Sequence, residues 1–439
     1  MKPAFAVRRQ RVMDLIAPGA MVLFAAPVVI RNNDVEHEYR QDSDFYYLMG
    51  FDEPESAVVI STGGNRRCTL FLRERDADRE TWDGPRLGVD AAAAALGIDD
   101  AYPIEELAAK LPELIVGCDE LYHTLGKHAA ADELIMTVLR KMRSTARKGG
   151  TWPTSIVEPG KVLHEMRLHK DDGEIAALLR AIDITEQAHR AVLCAARPRI
   201  WEYELEARLL AEFRGKGAQR VAYSPIVASG VNATVLHHRS NDRQSMPGEL
   251  ILVDAACELD YQSADITRTF PVDGRFSILQ RQAYDVVLSA QRQAIDAIMP
   301  GATLDEIHDL AVRVLSEGLL SLGVLEGNVQ SVIDSGSYKK YYMHRTSHWL
   351  GMDVHDVGRY HVSSKPRPLE PGMVLTVEPG LYFPANDEAV PEGLQGCGIR
   401  IEDDILVTDH GGRNLSQSIP KAPDEIEAIM QHDPEMIAG

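Results

Sequence analysis

The stretch that decides the fold is residues 250–270, LILVDAACELDYQSADITRTF. Two apolar, β-prone runs flank a polar turn, which predicts a β-hairpin. If the turn is centred on Leu259-Asp260, Asp254 lies directly opposite Asp265, with Cβ atoms about 5 Å apart. Two carboxylates that close repel each other unless a cation lies between them. The pair therefore predicts either a metal site or two turn-capping aspartates. Leu-Asp is a poor two-residue turn, so a longer or bulged turn would shift this register.

A cluster of histidines follows at residues 344–356, HRTSHWLGMDVHD. His344, His348 and His355 lie close together there, with apolar residues between them. A single histidine is more often a structural residue. Three histidines that accompany an aspartate pair instead favour a metal or catalytic site, because imidazole is both a metal ligand and a proton carrier near neutral pH.

Two further carboxylates lie beside rigid elements. Glu378 directly follows the apolar run at residues 373–377, which predicts a buried strand. Glu402 lies two residues after Arg400, with Ile401 between them and Ile399 before Arg400. Because alternate residues of a strand share one face, Arg400 and Glu402 are expected side by side. Such an acidic group is hard to explain as part of a solvated surface, so it belongs with the candidate site.

Composition limits the classes of function. The chain has 439 residues and a formal net charge of −20, which argues against a nucleic-acid binder or a basic membrane-surface protein. The longest apolar run, at residues 20–30, is too short to span a bilayer. Five widely spaced cysteines argue against a disulfide framework and for a reducing compartment. The sequence therefore predicts a cytoplasmic protein without nucleic-acid or membrane partners.

The candidate residues resemble a known signature. Asp254, Asp265, His348, Glu378 and Glu402 look like the five metal ligands of the pita-bread metallopeptidases. Residues 347–356, SHWLGMDVHD, are similar to the proline-peptidase motif of that superfamily. Residues 39–51, YRQDSDFYYLMGF, resemble the amino-terminal domain of the aminopeptidase P family. The resemblance covers essentially the whole chain.

The resemblance implies two domains, and the sequence offers a boundary between them. Residues 147–155, RKGGTWPTS, combine glycine, proline and hydroxyl side chains without periodicity, as linkers do. We expect a smaller α/β amino-terminal domain at residues 1–163. An α+β pita-bread catalytic domain is expected at residues 164–439. In the latter, Asp171 and Glu174 have the spacing of a helix capping box.

The resemblance also implies a chemistry. Four carboxylates and one imidazole, without a thiolate, favour Mn²⁺ or a similar ion over structural zinc. The family pattern has two Mn²⁺ ions bridged by Asp265 and Glu402. Asp254 completes the shell of one ion, and His348 and Glu378 complete that of the other. A dimetal-bound hydroxide then attacks the carbonyl carbon before proline, and Glu378 acts as the proton shuttle.

Other residues have supporting roles by resemblance. His237 and His355 would hydrogen-bond the substrate and the tetrahedral intermediate, and His344 would line the pocket. Arg400 would orient Glu402. Trp82 resembles a residue that reaches a neighbouring subunit's site in a homodimer or homotetramer, with a domain-core tryptophan as the alternative.

The implied activity is that of an Xaa-Pro aminopeptidase, which releases the first residue from peptides with proline second. Two alternatives remain: a prolidase, which cleaves only Xaa-Pro dipeptides, and a non-catalytic binding protein of the same fold. The loop at residues 358–368 carries Arg359, Lys365 and Arg367, but Ser364 takes the place at which close relatives have an arginine. The cation that meets the substrate's carboxyl side is therefore undetermined by the sequence.

Overall fold

The computed structural model describes residues 2–431. The chain divides into two compact units between Met166 and Arg167, whereas the linker composition places the boundary after residue 163. None of the helices in the described residues is long and apolar enough to cross a bilayer.

The amino-terminal unit contains one six-stranded sheet of order β6-β5-β4-β1-β7-β8. Strands β1, β4 and β5 are antiparallel neighbours, and β6, β7 and β8 each join in parallel. Leu111 of α5 and Ile135 of α6 belong to the same buried cluster as Val22 and Val59 of the sheet. The elements are α1 (Lys2–Ile16), β1 (Gly19–Phe24), β2 (Ile30–Asn32), β3 (Val35–Glu36), α2 (Ser43–Met49), β4 (Ala57–Ser61), β5 (Arg67–Leu72), α3 (Ala77–Asp83), α4 (Val89–Leu96), β6 (Asp100–Pro103), α5 (Leu107–Ile115), β7 (Glu120–Tyr122), α6 (Ala129–Arg143), β8 (Ser155–Val157) and, at the boundary, α7 (Gly160–Leu168).

The carboxy-terminal unit alternates helix pairs with short antiparallel strands. Its elements are α8 (Asp172–Ala195), α9 (Glu202–Gly215), β9 (Arg220–Val221), β10 (Ile226–Ser229), β11 (Leu250–Asp254), β12 (Cys257–Leu259), β13 (Gln262–Ser263), β14 (Thr267–Pro271), α10 (Ile278–Asp296), α11 (Leu304–Ser321), α12 (Val329–Ser335), β15 (His361–Val362), β16 (Lys365–Pro366), β17 (Val374–Val377), β18 (Gly380–Tyr382), β19 (Gly398–Arg400), β20 (Asp403–Thr408), β21 (Gly411–Asn414) and α13 (Pro423–Gln431).

Helices and strands of this unit share one large core. α8 packs against α9, and α10 packs against α11. Leu178, Leu209 and Leu315 from three of these helices lie in one buried cluster with Val253 of β11. The predicted capping box of α8 is confirmed, since Asp171 Oδ1 accepts a hydrogen bond from the Glu174 backbone N–H at 2.9 Å. These helices hold the strands on which the candidate site lies.

The hairpin register differs from the one expected at the sequence level. β11 and β14 are antiparallel, but Asp254 pairs with Thr267 rather than with Asp265. The turn lies one residue later, because Asp260 and Tyr261 both adopt positive φ angles, 51° and 62°, as a type I′ two-residue turn requires. Asp265 is thus a diagonal neighbour of Asp254 on the same face, where Cα atoms are about 7–8 Å apart.

Candidate metal centre and substrate cavity

A cavity of about 770 Å³ lies in the carboxy-terminal unit. This volume is within the range of about 300–1,000 Å³ that is usual for small-molecule sites. Every residue predicted for the metal and catalytic site contributes to its lining: His237, Asp254, Asp265, His344, His348, His355, Glu378, Arg400 and Glu402.

The tightest group in the cavity is Asp265, His348 and Glu402. Each offers one ligand atom within 4.8 Å of the others'. His348 Nε2 is 3.3 Å from Asp265 Oδ2 and 3.5 Å from Glu378 Oε1. The chemistry of this set is that of hard oxygen donors with one imidazole, which suits Mn²⁺ and other divalent ions.

The hairpin delivers two carboxylates to the cavity. Asp254 is the last residue of β11, and Asp265 lies two residues before Thr267, the first residue of β14. Tyr223 Oη donates to Asp254 Oδ1 at 2.6 Å, and Arg400 Nη2 donates to Asp254 Oδ2 at 2.6 Å. The Asp265 backbone N–H donates to Asp404 Oδ2 at 3.2 Å. Both carboxylates are therefore oriented by groups outside the ligand set.

His348 and Glu378 are brought together by pairing between their backbones. The Thr376 N–H donates to the His348 carbonyl at 3.0 Å, and the Glu378 N–H donates to the Thr346 carbonyl at 2.9 Å. The His348 ring is fixed by its Nδ1, which lies 3.0 Å from the Trp349 carbonyl. Because a carbonyl can only accept, Nδ1 carries the proton, and Nε2 faces the carboxylates as a potential metal ligand.

Glu402 is held by strand β14. Its N–H donates to the Thr267 carbonyl at 3.1 Å, and Thr267 Oγ1 donates to Glu402 Oε2 at 2.6 Å. Arg268 Nη1 donates to the Glu402 carbonyl at 2.6 Å. Arg400 contacts Glu402 only indirectly, because its Nε donates to Thr267 Oγ1 at 3.1 Å. The guanidinium of Arg400 thus orients Asp254 directly and Glu402 through Thr267.

The electrostatics of the cluster favour a bound cation. Burial raises the pKa of Asp254 and Glu378, to about 7 for Glu378. Burial and the nearby charge of Asp265 raise the pKa of Glu402 well above its usual range. Burial alone would lower the pKa of His348, but the hydrogen bond to Asp265 and the charge of Glu378 raise it to about 9. Burial and mutual repulsion favour the protonated forms of these carboxyl groups, and bound divalent ions would replace the protons.

A second hydrogen-bonded chain ends at His344. Its Nδ1 lies 2.8 Å from the Arg345 carbonyl and therefore carries the proton. Its Nε2 then accepts from Tyr382 Oη at 2.9 Å, while Arg400 Nη1 donates to the same oxygen at 3.0 Å. Burial and the charge of Arg400 lower the pKa of His344 to about 3. His344 is accordingly a neutral imidazole in the cavity wall.

His237 and His355 are exposed histidines of the cavity lining, as is His361 of the 358–368 loop. The His355 ring lies 4.4 Å from that of His348, at an angle of 78°. Partial burial and the charge of His348 lower the pKa of His355. Within residues 2–431, no hydrogen bond to a His237 side-chain atom is present. Both rings are thus available to a ligand.

Four polar residues in or beside the cavity are not identified from the sequence. Tyr223, Arg239 and Arg345 line the cavity, and Tyr382 lies beside it, where its Oη contacts His344 and Arg400. Each is a single polar residue without a spacing pattern, so only the fold brings it to the site. The two arginines do directly follow the HH pair at residues 237–238 and His344, which is the one local signal that marks them.

The predictions for the 358–368 loop and for Trp82 have different outcomes. Arg359, Lys365 and Arg367 are absent from the cavity lining in the described part of the chain, whereas Tyr360, His361 and Pro366 of the same loop belong to it. Ser364 has a φ of 63° in the β15–β16 turn. Trp82, on α3, is 86% exposed. The alternative of a domain-core tryptophan is therefore wrong.

Comparisons with known proteins match both units. A family model for metallopeptidase family M24 matches residues 176–409, and one for the aminopeptidase P N-terminal domain matches residues 5–122. The chain is 44% identical to the Xaa-Pro aminopeptidase of Escherichia coli over 97% of both chains. It is 41% identical to that of Haemophilus influenzae over 98% of this chain and 97% of the relative.

Solved structures agree along the whole length. Aminopeptidase PepP of Pseudomonas aeruginosa superposes with a TM-score of 0.96 at 46% identity, covering 98% of both chains. Zinc-substituted E. coli aminopeptidase P in complex with product gives 0.95 at 43% identity, again over 98% of both chains. The predicted fold class, a pita-bread catalytic domain preceded by a smaller α/β domain, is confirmed.

Proposed function

Because the chain belongs to metallopeptidase family M24 and to its aminopeptidase P group, we propose that it is a metal-dependent Xaa-Pro aminopeptidase. It releases the amino-terminal residue from peptides that have proline in the second position. The observation that carries this proposal is the convergence of four carboxylates and His348 on one cavity, in a chain that matches aminopeptidase P over both of its units.

The residues present fit a pair of divalent cations. Asp254, Asp265, His348, Glu378 and Glu402 would hold them, and Asp265 and Glu402 would contribute to both sites. Three of these carboxylates have raised pKa values without a cation, so positive charge is what the cluster lacks. When bound, the ions supply Lewis acidity and a water of lowered pKa.

The chain's own residues perform the remaining tasks. Glu378, whose Oε1 lies 3.5 Å from His348 Nε2 at the proposed metal centre, would take a proton and pass it to the departing amine. His237 and His355 face the cavity and donate hydrogen bonds to the substrate carbonyl as negative charge develops. Ile226, Leu236 and other apolar lining residues offer a surface for the proline ring.

We assign Mn²⁺ as the working metal, because four carboxylates and one imidazole form a hard donor set. The test is to strip the purified protein with a chelator and restore it separately with Mn²⁺, Zn²⁺, Co²⁺ and Mg²⁺. Mn²⁺ should give the highest kcat/KM on an Xaa-Pro-Xaa peptide. Higher activity with another ion at equal occupancy would contradict the assignment.

The substrate class is tested with matched tripeptides. Xaa-Pro-Xaa should be cleaved after the first residue, and Xaa-Ala-Xaa should be cleaved far more slowly. Equal rates would show a general aminopeptidase. Absence of cleavage in both, with metal bound, would favour the non-catalytic binding protein.

The setting of the enzyme is also a proposal. Four of the five cysteines are buried and all five are free, which fits a reducing compartment, and we propose that the protein acts in the cytoplasm.

We further propose a homodimer or homotetramer in which the exposed Trp82 meets another subunit. Light scattering on the wild type and on Trp82→Ala tests this, since a monomer in both would exclude it.

A further inference from the structure

One buried carboxylate outside the cavity lining organises the segment that carries His237. Glu202, the first residue of α9, is only 1% exposed. It does not line the cavity. We propose that Glu202 is the positioning residue for His237, acting through the segment at residues 229–243. This inference rests on the proposed function, in which His237 contacts the substrate.

The carboxylate of Glu202 binds both ends of this segment. At the first end, Oε1 accepts from the Ser229 N–H at 2.7 Å, from Ser229 Oγ at 2.8 Å and from Asn232 Nδ2 at 3.0 Å. At the other end, Oε2 accepts from the Arg243 N–H at 3.1 Å. The carboxylate of Glu202 thus holds the two ends of the segment together, and its own position is fixed by α9.

The contact nearest His237 is made by its neighbour. His238 is buried, and its Nε2 lies 3.1 Å from Glu202 Oε2. The Asn241 N–H and Asn232 Nδ2 also lie near Nε2, each at 3.3 Å. Because a carboxylate can only accept and makes the shortest of these contacts, we assign the Nε2 proton to the hydrogen bond with Glu202. His237 itself makes no side-chain hydrogen bond among residues 2–431. Its ring direction therefore depends on the backbone that Glu202 and His238 hold in place.

The chemistry requires a carboxylate rather than an amide at this position. An ionised carboxyl group accepts at about four lone-pair positions, whereas an amide presents one acceptor oxygen and an NH₂ group. Five donor groups converge on Glu202, so a glutamine would turn its own donors towards some of them. Glu202→Gln therefore keeps the shape of the side chain but removes part of its capacity to accept hydrogen bonds.

The test is a double-mutant cycle with His237. We expect Glu202→Gln to lower kcat on an Xaa-Pro-Xaa peptide by about tenfold or more, because small misplacements of contacting groups have effects up to about 100-fold. KM and bound metal should change little. In a His237→Ala background the same substitution should change kcat by less than about twofold, since the residue it positions is absent.

Glu204→Gln is the matched control. Glu204 lies in the same first turn of α9, where its Oε2 accepts from the Trp201 N–H at 2.9 Å, and it has no hydrogen bond to residues 229–243 in the described chain. It should retain wild-type kcat even if the melting temperature falls. Equal effects of Glu202→Gln in the two backgrounds would overturn the positioning role. Full kcat in His237→Ala would instead overturn the role of His237 in the proposed function, and this inference with it.

A second pair of variants serves if Glu202→Gln does not fold. His238→Gln can still donate an N–H to Glu202, and His238→Ala cannot. The first should retain most of the wild-type kcat, and the second should lose about tenfold, with metal content equal in both. Equal kcat values for the two variants would overturn the inference.

Discussion

At the scale of single residues, substitution of Asp265 is expected to have the largest effect on metal binding and activity. Its carboxylate lies against His348 Nε2 at 3.3 Å and within reach of Glu402. Asp265→Ala should therefore abolish activity and lower bound metal together, because one proposed bridge between the ions is gone. Metal analysis of the purified variant measures this. Asp260→Asn, at the tip of the same hairpin, is the control and should keep both ions. An Asp265→Ala protein with full metal and full turnover would refute the two-metal site.

His237 separates the chemistry from metal binding. It lines the cavity but lies outside the tight group of ligand atoms. His237→Ala should keep its metal and lose about 100-fold in kcat, the usual effect of removing one donor to a developing oxyanion. Steady-state kinetics with parallel metal analysis measures both quantities. Loss of an ion in this variant would place His237 among the metal ligands instead.

At the scale of elements, β14 connects several site residues. Thr267 Oγ1 donates to Glu402 and accepts from Arg400, so one hydroxyl orients a proposed ligand and its neighbour. Thr267→Val keeps the size of the side chain and removes that hydroxyl. Metal affinity should fall by about 10–100-fold, as is typical when a group that orients a ligand is lost. Titration of the chelated protein with Mn²⁺ measures the change.

The control for this variant is Thr185→Val. Thr185 is fully buried on α8, where its hydroxyl contacts Cys257, and it does not line the cavity. It should lose some stability but no metal affinity. Equal metal affinities in the two valine variants would contradict the role assigned to β14.

The same hairpin shows how far the sequence could predict the site. The apolar runs, the turn and the two aspartates were readable, and their carboxylates do reach one cavity. The sequence does not predict the register, because Tyr261 is an unusual residue for a positive φ angle. The turn is centred on Asp260-Tyr261 rather than on Leu259-Asp260. The sequence does not predict Tyr223, Tyr382, Arg239 and Arg345, because tertiary packing alone brings them into or beside the cavity. The ligand roles of the five metal-site residues remain predictions.

At the scale of the whole molecule, metal removal should change how stability depends on pH. In the metal-free protein burial raises the pKa of Glu378 from 4.5 to about 7, and it raises those of Asp254 and Glu402 as well. At these three carboxyl groups the folded state binds more protons than the unfolded state, so their contribution to the free energy of unfolding falls as pH rises from about 4.5 to 7. Below about pH 6.5 the buried histidines His189, His308 and His344, whose pKa values are lowered to about 4, 4 and 3, contribute in the opposite direction in both the metal-free and the metal-bound protein. His348, with its pKa raised from 6.5 to about 9, extends the fall to higher pH.

Divalent ions should reverse this trend, because they bind the ionised carboxylates and the neutral imidazole. Melting temperatures between pH 5 and pH 8 measure both states of the protein. The difference between the two states isolates the cluster, and the gain in stability from added Mn²⁺ should grow from pH 5 to pH 8. A gain from Mn²⁺ that stays constant or shrinks towards pH 8 would contradict the proposed state of the cluster.

The last prediction concerns the length of the substrate. The bond before proline is a tertiary amide without an N–H, so an enzyme that cleaves it must hold the free amino terminus and the proline ring. A prolidase must in addition fix the carboxylate that directly follows proline, which calls for a well-placed cation. Among the arginines that line the cavity, Arg400 is bound to Asp254 and Arg345 to Asp305.

Arg239 is exposed and has no ion pair within residues 2–431, and the cations of the 358–368 loop are not part of the lining. Among the described residues that line the cavity, no buried cation is therefore left free to hold the carboxylate of a dipeptide. A longer peptide would extend past proline without meeting that requirement. We expect a higher kcat/KM for Xaa-Pro-Xaa peptides than for Xaa-Pro dipeptides with the same first residue, measured in added Mn²⁺. Cleavage of dipeptides alone, with tripeptides untouched, would make this protein a prolidase.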